Sequence, residues 1–220
     1  MFDPRQAVSE SVGAHLPAVP LQRLTPEGLR RHFAQLPAWA PELRTEPPLS
    51  ARSPVAAAVL VPLLARPECV TVLLTQRASH LSAHAGQIAF PGGRVDADDT
   101  DVVATALREA HEEIALAPGY VDVLAVLPPY TTATAYVVTP VVALVSSAAT
   151  WQPHPGEVAE VFEVPLSFLM NPAHHMLQTL EWEGRHRQWF AMPYHDGTVE
   201  RYIWGATAGM LRNLYRCLSA

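Results

Sequence analysis

Residues 92–116 read GGRVDADDTDVVATALREAHEEIAL, and the reading of the rest of the chain depends on this stretch. Val103, Ala106, Leu107 and Ala110 recur at helical spacing, which predicts an amphipathic helix from about residue 101 to 114, stopped by Pro118-Gly119. On that helix Glu109, Glu112 and Glu113 stand at i, i+3 and i+4, so the three carboxylates fall within about 100° of one face. Like charges at that spacing weaken an isolated helix by ~0.2–0.5 kcal/mol per pair, and they call for full solvation or for a divalent ion. Oxygen-only ligands select a hard cation, Mg²⁺ or Mn²⁺, bound through a few carboxylates with water and substrate phosphates completing the shell. Arg108 adjoins the three acids, and its planar fork can hold a glutamate in one orientation. Spacing alone leaves two readings open, a metal claw and a solvated acidic face.

Upstream the acids continue. Asp96, Asp98, Asp99 and Asp101 together with the three glutamates place seven of the chain's 21 acids in residues 94–113. Such a cluster repels itself unless it is solvated or shares a cation, and a wet acidic turn entering a helix N-terminus is the plainer account of the aspartates. The aspartate run does not fit a calcium loop, because its sixth position is Asp101 where a glycine is needed and its twelfth is Leu107 where a glutamate is needed. Just before it, Gly86, Gly92 and Gly93, with Phe90-Pro91 between them, supply backbone that can turn sharply and approach a ligand closely. A glycine loop running into an acidic helix suits a metal-bound pyrophosphate.

Further out, residues 55–65 and 69–75 read as β-rich apolar segments around the turn Arg66-Pro67-Glu68. Residues 121–127 and 136–145 read as strands, the latter broken by Pro140, which predicts a bulge or an edge. Apolar alternation at 158–164, two strands at 176–182 and 188–194, and an amphipathic helix at 206–218 complete the pattern. Many strands with two substantial helices predict an α/β fold with a mixed sheet covered on both faces. The first 53 residues differ, with eight prolines and no sustained period. Their one helix signal is Thr25 as cap, Pro26 at the first position and Leu29, His32, Phe33 and Leu36 along one face before Pro37. The expected organisation is therefore a proline-rich arm, 1–53, carrying a short docking helix, and a globular domain, 54–220.

Composition narrows the function. With 15 cations against 21 acids the formal charge is −6, and every one of the cations is arginine. The absence of lysine removes Schiff-base chemistry and the phosphate-binding G-x-x-x-x-G-K-[ST] loop, and the absence of G-x-S-x-G removes a serine hydrolase elbow. Scattered arginines in an acidic chain form no stripe for a nucleic acid backbone, so no nucleic-acid partner is expected. The longest purely apolar run, 55–65, has 11 residues where a bilayer span needs about 20, so no membrane partner is expected either. Cys69 and Cys217 stand apart, and the first residues lack a charged-then-apolar leader, so the expected compartment is a reducing cytoplasm. Oligomeric state is left open.

Residues 92–116 resemble the Nudix box, G-x5-E-x7-R-E-U-x-E-E-x-G-U with U aliphatic, and the R-E-x-x-E-E core is matched in full by residues 108–113. Three positions depart: Gly93 to Arg108 is one residue longer, the outlying glutamate falls on Thr100 between Asp99 and Asp101, and the late glycine is Ala115. Residues 73–93, LLTQRASHLSAHAGQIAFPGG, are similar to the signature of the coenzyme A pyrophosphatase branch, with Ala78 replacing its serine and Ser82 its second arginine. The resemblance implies an α/β/α sandwich that hydrolyses the pyrophosphate of coenzyme A or acyl-CoA to 3',5'-ADP and 4'-phosphopantetheine or its acyl derivative. Glu109, Glu112 and Glu113 would hold Mg²⁺ or Mn²⁺, Arg108 would order them, and Thr75, Arg77, Gly86, Gly92 and Gly93 would meet the nucleotide. Arg77 is then the remaining phosphate contact of the branch signature.

Glu157, in Pro155-Gly156-Glu157-Val158, lies where many Nudix enzymes place a catalytic or metal-binding glutamate, and an ordinary strand-edge acid is the competing account. The general base stays open between Glu112, Glu157 and a hydroxide on the cation. Tyr130, Tyr136 and Trp151 are candidates for stacking or plain packing, His80 and His84 for loop hydrogen bonds, His111 for the surface and His174-His175 for a polar loop. Two other functions are consistent with the sequence: the same chemistry on ADP-ribose, a dinucleotide or another nucleoside diphosphate derivative, and a non-catalytic nucleotide-binding module signalling through the arm.

Overall fold

Strand β2 (Val55–Ala65) is apolar on both of its faces, and the layers of the molecule follow from that. The computed structural model describes residues 4–49, 52–81, 84–182, 184–197 and 199–220. In chain order the elements are β1 (Val8–Ser11), α1 (Pro26–Ala34), β2, β3 (Val70–Arg77), β4 (Ile88–Ala89), β5 (Gly92–Arg94) and α2 (Val102–Ile114). They continue with β6 (Val121–Val126), β7 (Tyr130–Thr131), β8 (Tyr136–Val145), β9 (Val158–Pro165) and the short α3 (Leu166–Leu169). The chain ends with β10 (Met176–Trp182), β11 (Arg185–Asp196), β12 (Val199–Trp204) and α4 (Gly205–Ser219).

The main sheet is ordered β4-β3-β2-β8-β6, with β5 paired to β2, β7 to β8 and β9 to β3. Its β2–β8 pairing is parallel and the others are antiparallel, so the sheet is mixed. Because side chains alternate along a strand, Ala58, Leu60 and Leu64 face one way and pack with Ala106, Ala110 and Ile114 of α2. Ala57, Val61 and Leu63 face the other way, into a core shared with Leu29 and Phe33 of α1 and Leu211, Leu214 and Leu218 of α4. A sheet buried on both faces needs the continuous apolar run that 55–65 shows. The expected α/β/α sandwich is the fold observed. Among the described residues, no helix is long and apolar enough to cross a membrane.

A second sheet, antiparallel in the order β1-β10-β11-β12, packs beside it. Only its central hairpin was foreseen from sequence, and residue 183 of that hairpin's turn lies outside the described residues.

Two expectations need correction. Pro140 marks neither an edge nor a bulge of its own strand, since β8 is flanked by β2 on one side and by β6 and β7 on the other. In an extended strand the carbonyl and the missing N–H of one residue point the same way. The Pro140 carbonyl accepts from Leu127 N at 2.9 Å, so the missing donor faces the break between β6 and β7, and the register shift falls on β6 between Val123 and Ala125.

The loose arm is the second correction. Helix α1 forms as expected, with Thr25 Oγ1 accepting from Gly28 N at 3.0 Å and Leu29 and Phe33 buried, although Leu36 is exposed. The segment around it clasps α4. Arg23 donates to the Leu218 carbonyl at 2.6 Å, Glu42 takes the fork of Arg212 at 2.9 and 3.2 Å, and Leu43 exchanges hydrogen bonds with Asn213. Short contacts to a distant helix are not encoded in local periodicity, which is why this segment reads as loose in sequence.

Candidate active site and its cleft

Helix α2 starts where Asp101 Oδ1 accepts from Val103 N and Ala104 N at 2.9 and 2.8 Å, and it stops at Ala115, whose φ of 54° is left-handed. That geometry explains the glycine of the general pattern at this position, because a Cβ disfavours it. Ala106 and Ala110 pin one face of the helix to the sheet, and the adjacent face carries the acids towards β5.

Arg108 is the hub. Its Nε and Nη2 donate to the two Asp99 oxygens at 2.9 Å each, its Nη1 to Glu109 at 2.9 Å and Glu112 at 3.1 Å, and its Nη2 also to the Arg94 carbonyl at 3.0 Å. The Arg108 guanidinium, with the Asp96 backbone N–H, holds the Asp99 carboxyl well below the usual carboxylate range, and the same contacts push Arg108 further up. Sequence reading flagged Asp99 only as a neighbour of Thr100. The structure gives Asp99 the contact, so a shorter acid in a box one residue longer reaches the same arginine.

The three glutamates differ in setting. Glu112 is exposed, Glu109 is mostly covered, and the Glu113 side chain is only 7% exposed. Glu113 Oε2 accepts from Gly92 N at 3.1 Å, and Arg77 stands 3.8 Å from its other oxygen. Burial pushes the Glu113 carboxyl up to about 7; the Gly92 N–H and Arg77 oppose this, and Glu109 and Glu157 add to it. Burial likewise raises Glu109, against Arg108 and with help from Glu112 and Glu157. Glu157, from the turn before β9, is thus brought into the electrostatic field of the claw across a long stretch of sequence. The turn is tied in place by Ala78 N donating to the Glu157 carbonyl at 2.9 Å.

A side chain on Gly92 would meet the Ala58 carbonyl at 2.4 Å, and one on Gly93 would meet the Glu109 carboxylate at 2.5 Å. These two glycines are therefore needed for close approach of β5 to its neighbours. The donor set is all carboxylate, two of its members are desolvated, and Arg77 is beyond hydrogen-bond range, so the residues fit a hard divalent cation that would relieve the repulsion. Among the described residues no three acid, histidine or cysteine side chains are already drawn into a closed cage, since Glu109 and Glu112 face Arg108 and Glu113 faces Gly92.

Beside the claw, and between the two sheets, opens a cleft of about 740 Å³. Arg77, Gly92 and Gly93 line it, as do Arg94, Arg187 and His84 among polar residues and Leu49, Val59, Val138 and Met210 among apolar ones. Two of the residues expected at the substrate lie elsewhere. Thr75 is buried and spends its hydroxyl on the Ala89 carbonyl at 3.2 Å, because β3 needs that pin to β4. Gly86 turns its loop at φ 70°, donates to the Arg77 carbonyl at 3.1 Å and borders a smaller pocket with Arg5 and Gln76. Ser82 lies outside the described residues.

Of the aromatics, Tyr136 lines the cleft and accepts from Arg94 at 2.8 Å, whereas Tyr130 is buried on Glu46 and Trp151 lies under Arg66. His84 bonds Gln87 at 2.8 Å, as expected of a loop histidine. His175 is not in a polar loop at all: it is fully buried between the Leu169 carbonyl and Arg212. Sequence reading missed Arg94, Arg187, Trp189 and Trp204 as cleft residues. Only Arg94, adjacent to the glycines, carried a local signal.

The family model for the NUDIX domain matches residues 54–191. A protein of Escherichia fergusonii named an uncharacterized Nudix hydrolase, NudL, is 45% identical over 159 residues, covering 72% of this chain and 80% of its own. A protein of the same name from Salmonella paratyphi B shows the same identity and coverage. Among solved structures, an Ap4A hydrolase binary complex of C. elegans superposes with a TM-score of 0.44 at 22% identity, over 54% of this chain and 85% of that one. The NUDIX domain of Shewanella oneidensis NrtR complexed with ADP ribose gives 0.43 at 26%, over 53% and 75%. With its R-E-x-x-E-E acids set on α2 beside a cleft, and with a family match over more than half its length, this chain belongs to the Nudix hydrolase family.

Proposed function

We propose that this Nudix hydrolase cleaves the pyrophosphate bond of coenzyme A or acyl-CoA, giving 3',5'-ADP and 4'-phosphopantetheine or its acyl derivative, with Mg²⁺ or Mn²⁺. The observation that carries the proposal is the junction at Gly92: its N–H binds the buried Glu113, Arg77 stands 3.8 Å from that acid, and both Gly92 and Arg77 line the cleft. A pyrophosphate in the cleft therefore lies next to the acids. The cleft combines arginines with apolar surface from Val59, Val138 and Met210, as a ligand that is charged at one end and thioalkyl at the other requires.

In this reading Glu109, Glu112 and Glu113 hold the cation, and Arg108, fixed by Asp99, sets the orientation of Glu109 and Glu112. The cation, when bound, neutralises phosphate charge and lowers the pKa of a bound water. Arg77 draws a phosphate oxygen to the rim, and the bare backbone of Gly92 and Gly93 lets the pyrophosphate approach. Glu112, exposed, and Glu157, near enough on the turn before β9 to raise Glu109 and Glu113, are the side chains available to take a proton from water. Little covalent chemistry is asked of the protein, in keeping with its lack of a nucleophile motif. Ala78, where the branch signature has serine, favours a second substrate reading, ADP-ribose.

The test is product analysis with CoA, ADP-ribose, NADH and diadenosine polyphosphates, each with Mg²⁺ or Mn²⁺. The highest kcat/KM is expected on CoA, with release of 3',5'-ADP. A clear preference for ADP-ribose over CoA transfers the assignment to the second reading.

A further inference from the structure

The appended sheet places a cation, Arg187, in the cleft, and among the described residues no acid pairs with it. Arg187, on β11, lines the cleft, and its buried Nε has no hydrogen-bond partner among the described residues. The other two arginines of the cleft meet protein groups: Arg77 stands 3.8 Å from the Glu113 carboxylate, although its Nε is likewise without a partner among the described residues, and Arg94 donates to the Tyr136 hydroxyl. The one acid lining the cleft, Glu46, is spent on Tyr130 Oη and Ala133 N. Arg187 faces Leu180 across the strand pair, so β10 brings it no acid either. A guanidinium with a covered, unpaired donor is costly unless a ligand completes it. In a chain of net charge −6, a cleft holding three arginines and one committed acid is a local inversion of sign. An inversion of that kind focuses anionic ligands.

We propose that Arg187 forms an anion subsite for a phosphomonoester carried on the ribose of the substrate, separate from the pyrophosphate that is cleaved. The subsite rests on the reading of this cleft as a nucleotide site. It comes from the sheet that carries none of the box, so the cleft draws its cations from both sheets. Trp204, from β12 on that same sheet, and Tyr136, from β8 on the main sheet, give the cleft flat surfaces for the base between the two anionic groups. The ribose phosphate can sit at the 3' or at the 2' position, and the ligands below separate the two.

The experiment measures binding of AMP, 3',5'-ADP and 2',5'-ADP to the full chain without metal, by calorimetry, for the wild type, Arg187→Gln and Arg187→Lys. Wild type is expected to bind one bisphosphate about tenfold more tightly than AMP, a margin typical of one charge-assisted contact. Arg187→Gln should collapse that ratio towards one, with Arg187→Lys in between, and its KM for CoA should rise several-fold more than its KM for dephospho-CoA. A wild type that does not distinguish the bisphosphates from AMP overturns the subsite whatever the variants do. So does a parallel loss on all three ligands in Arg187→Gln, which marks the residue as structural. Selective, Arg187-dependent binding of 3',5'-ADP by an enzyme that fails to cleave CoA would leave the subsite standing and overturn the substrate assignment alone.

Discussion

Helix α2 with its glycine loop, and the region formed by residues 4–49 and the four-stranded sheet, both border one cleft but are built on opposite principles. In α2 every functional group lies within a few turns of the next, Asp101 capping, Arg108 ordering, Glu109 to Glu113 clustering, so distances follow from helical spacing. In the second region the partners are far apart in sequence: Glu42 with Arg212, Arg23 with Leu218, and Arg187 of β11 with Gly92 and Gly93 of β5 in the lining of one cleft. In the proposed reading the chemistry is concentrated in the local region and the discrimination of ligands in the non-local one. Perturbing each region should therefore give different signatures.

The largest effect is expected from deleting residues 1–52. Leu24, Leu29 and Phe33 are buried in the main core, and at about 1.5–3 kcal/mol per buried side chain their loss alone approaches the whole stability of a domain. A chain starting at Ser53 should show no cooperative melting transition. A sharp transition together with retained hydrolysis would restore the dispensable arm expected from sequence and dissolve the contrast drawn above.

Glu113→Gln strikes the local region instead. The amide can still accept from Gly92 N but removes one anionic ligand, so turnover at saturating Mg²⁺ should fall by about 10²–10³, the loss seen when one preorganised charge-stabilising group is removed. Melting temperature should hold or rise, because a buried carboxylate among like charges is relieved. Unchanged turnover would remove Glu113 from the proposed cation site.

A pH titration of stability sharpens the non-local side. His175 is buried, and desolvation, reinforced by Arg212 and His174 against the Leu169 carbonyl and Glu42, pushes it down to about 4 from an ordinary value of 6.5. The unfolded chain takes up that proton near 6.5 while the native one refuses it, so stability is full above 6.5 and falls as pH drops towards 4. The loss is up to about 3 kcal/mol. Urea midpoints across this window should be flatter for His175→Gln, and identical slopes would show that the histidine does not contribute.

Ala115→Gly is the smallest test. At φ 54° a glycine relieves a Cβ penalty of about 1 kcal/mol, so the variant should melt a few degrees higher with unaltered turnover. A lower melting temperature would mean that the Ala115 methyl is worth more in packing than it costs in strain.

The box, the longer strands β2, β3, β6, β8 and β9 of the main sheet, and helices α1, α2 and α4 were legible because period, caps and stop signals are local. The same logic put Arg108 and the three glutamates together on one stretch of α2, and it passed over the Asp99 contact because a one-residue insertion displaced the acid from its expected place. It expected Thr75 at the substrate, whereas that hydroxyl is buried on the Ala89 carbonyl, and a hydroxyl in a signature does not reveal that the neighbouring strand will claim it. Strands β1 and β12, the first exposed throughout and the second at its start, and the two- and three-residue β4, β5 and β7 were missed because they are short, with little alternation to read.

The sequence by itself determined the fold class, the family and the acidic face of α2, since each of these depends on spacing along a chain whose local geometry is fixed by hydrogen bonding and sterics. Tertiary structure alone decided that Glu157 joins the field of Glu109 and Glu113, that the proline-rich segment belongs to the core, and that Arg187 lines the cleft with no acid paired to it among the described residues. Those outcomes depend on which surfaces meet when apolar area is withdrawn from water, and burial of that kind has no direction and no period that a linear pattern can record.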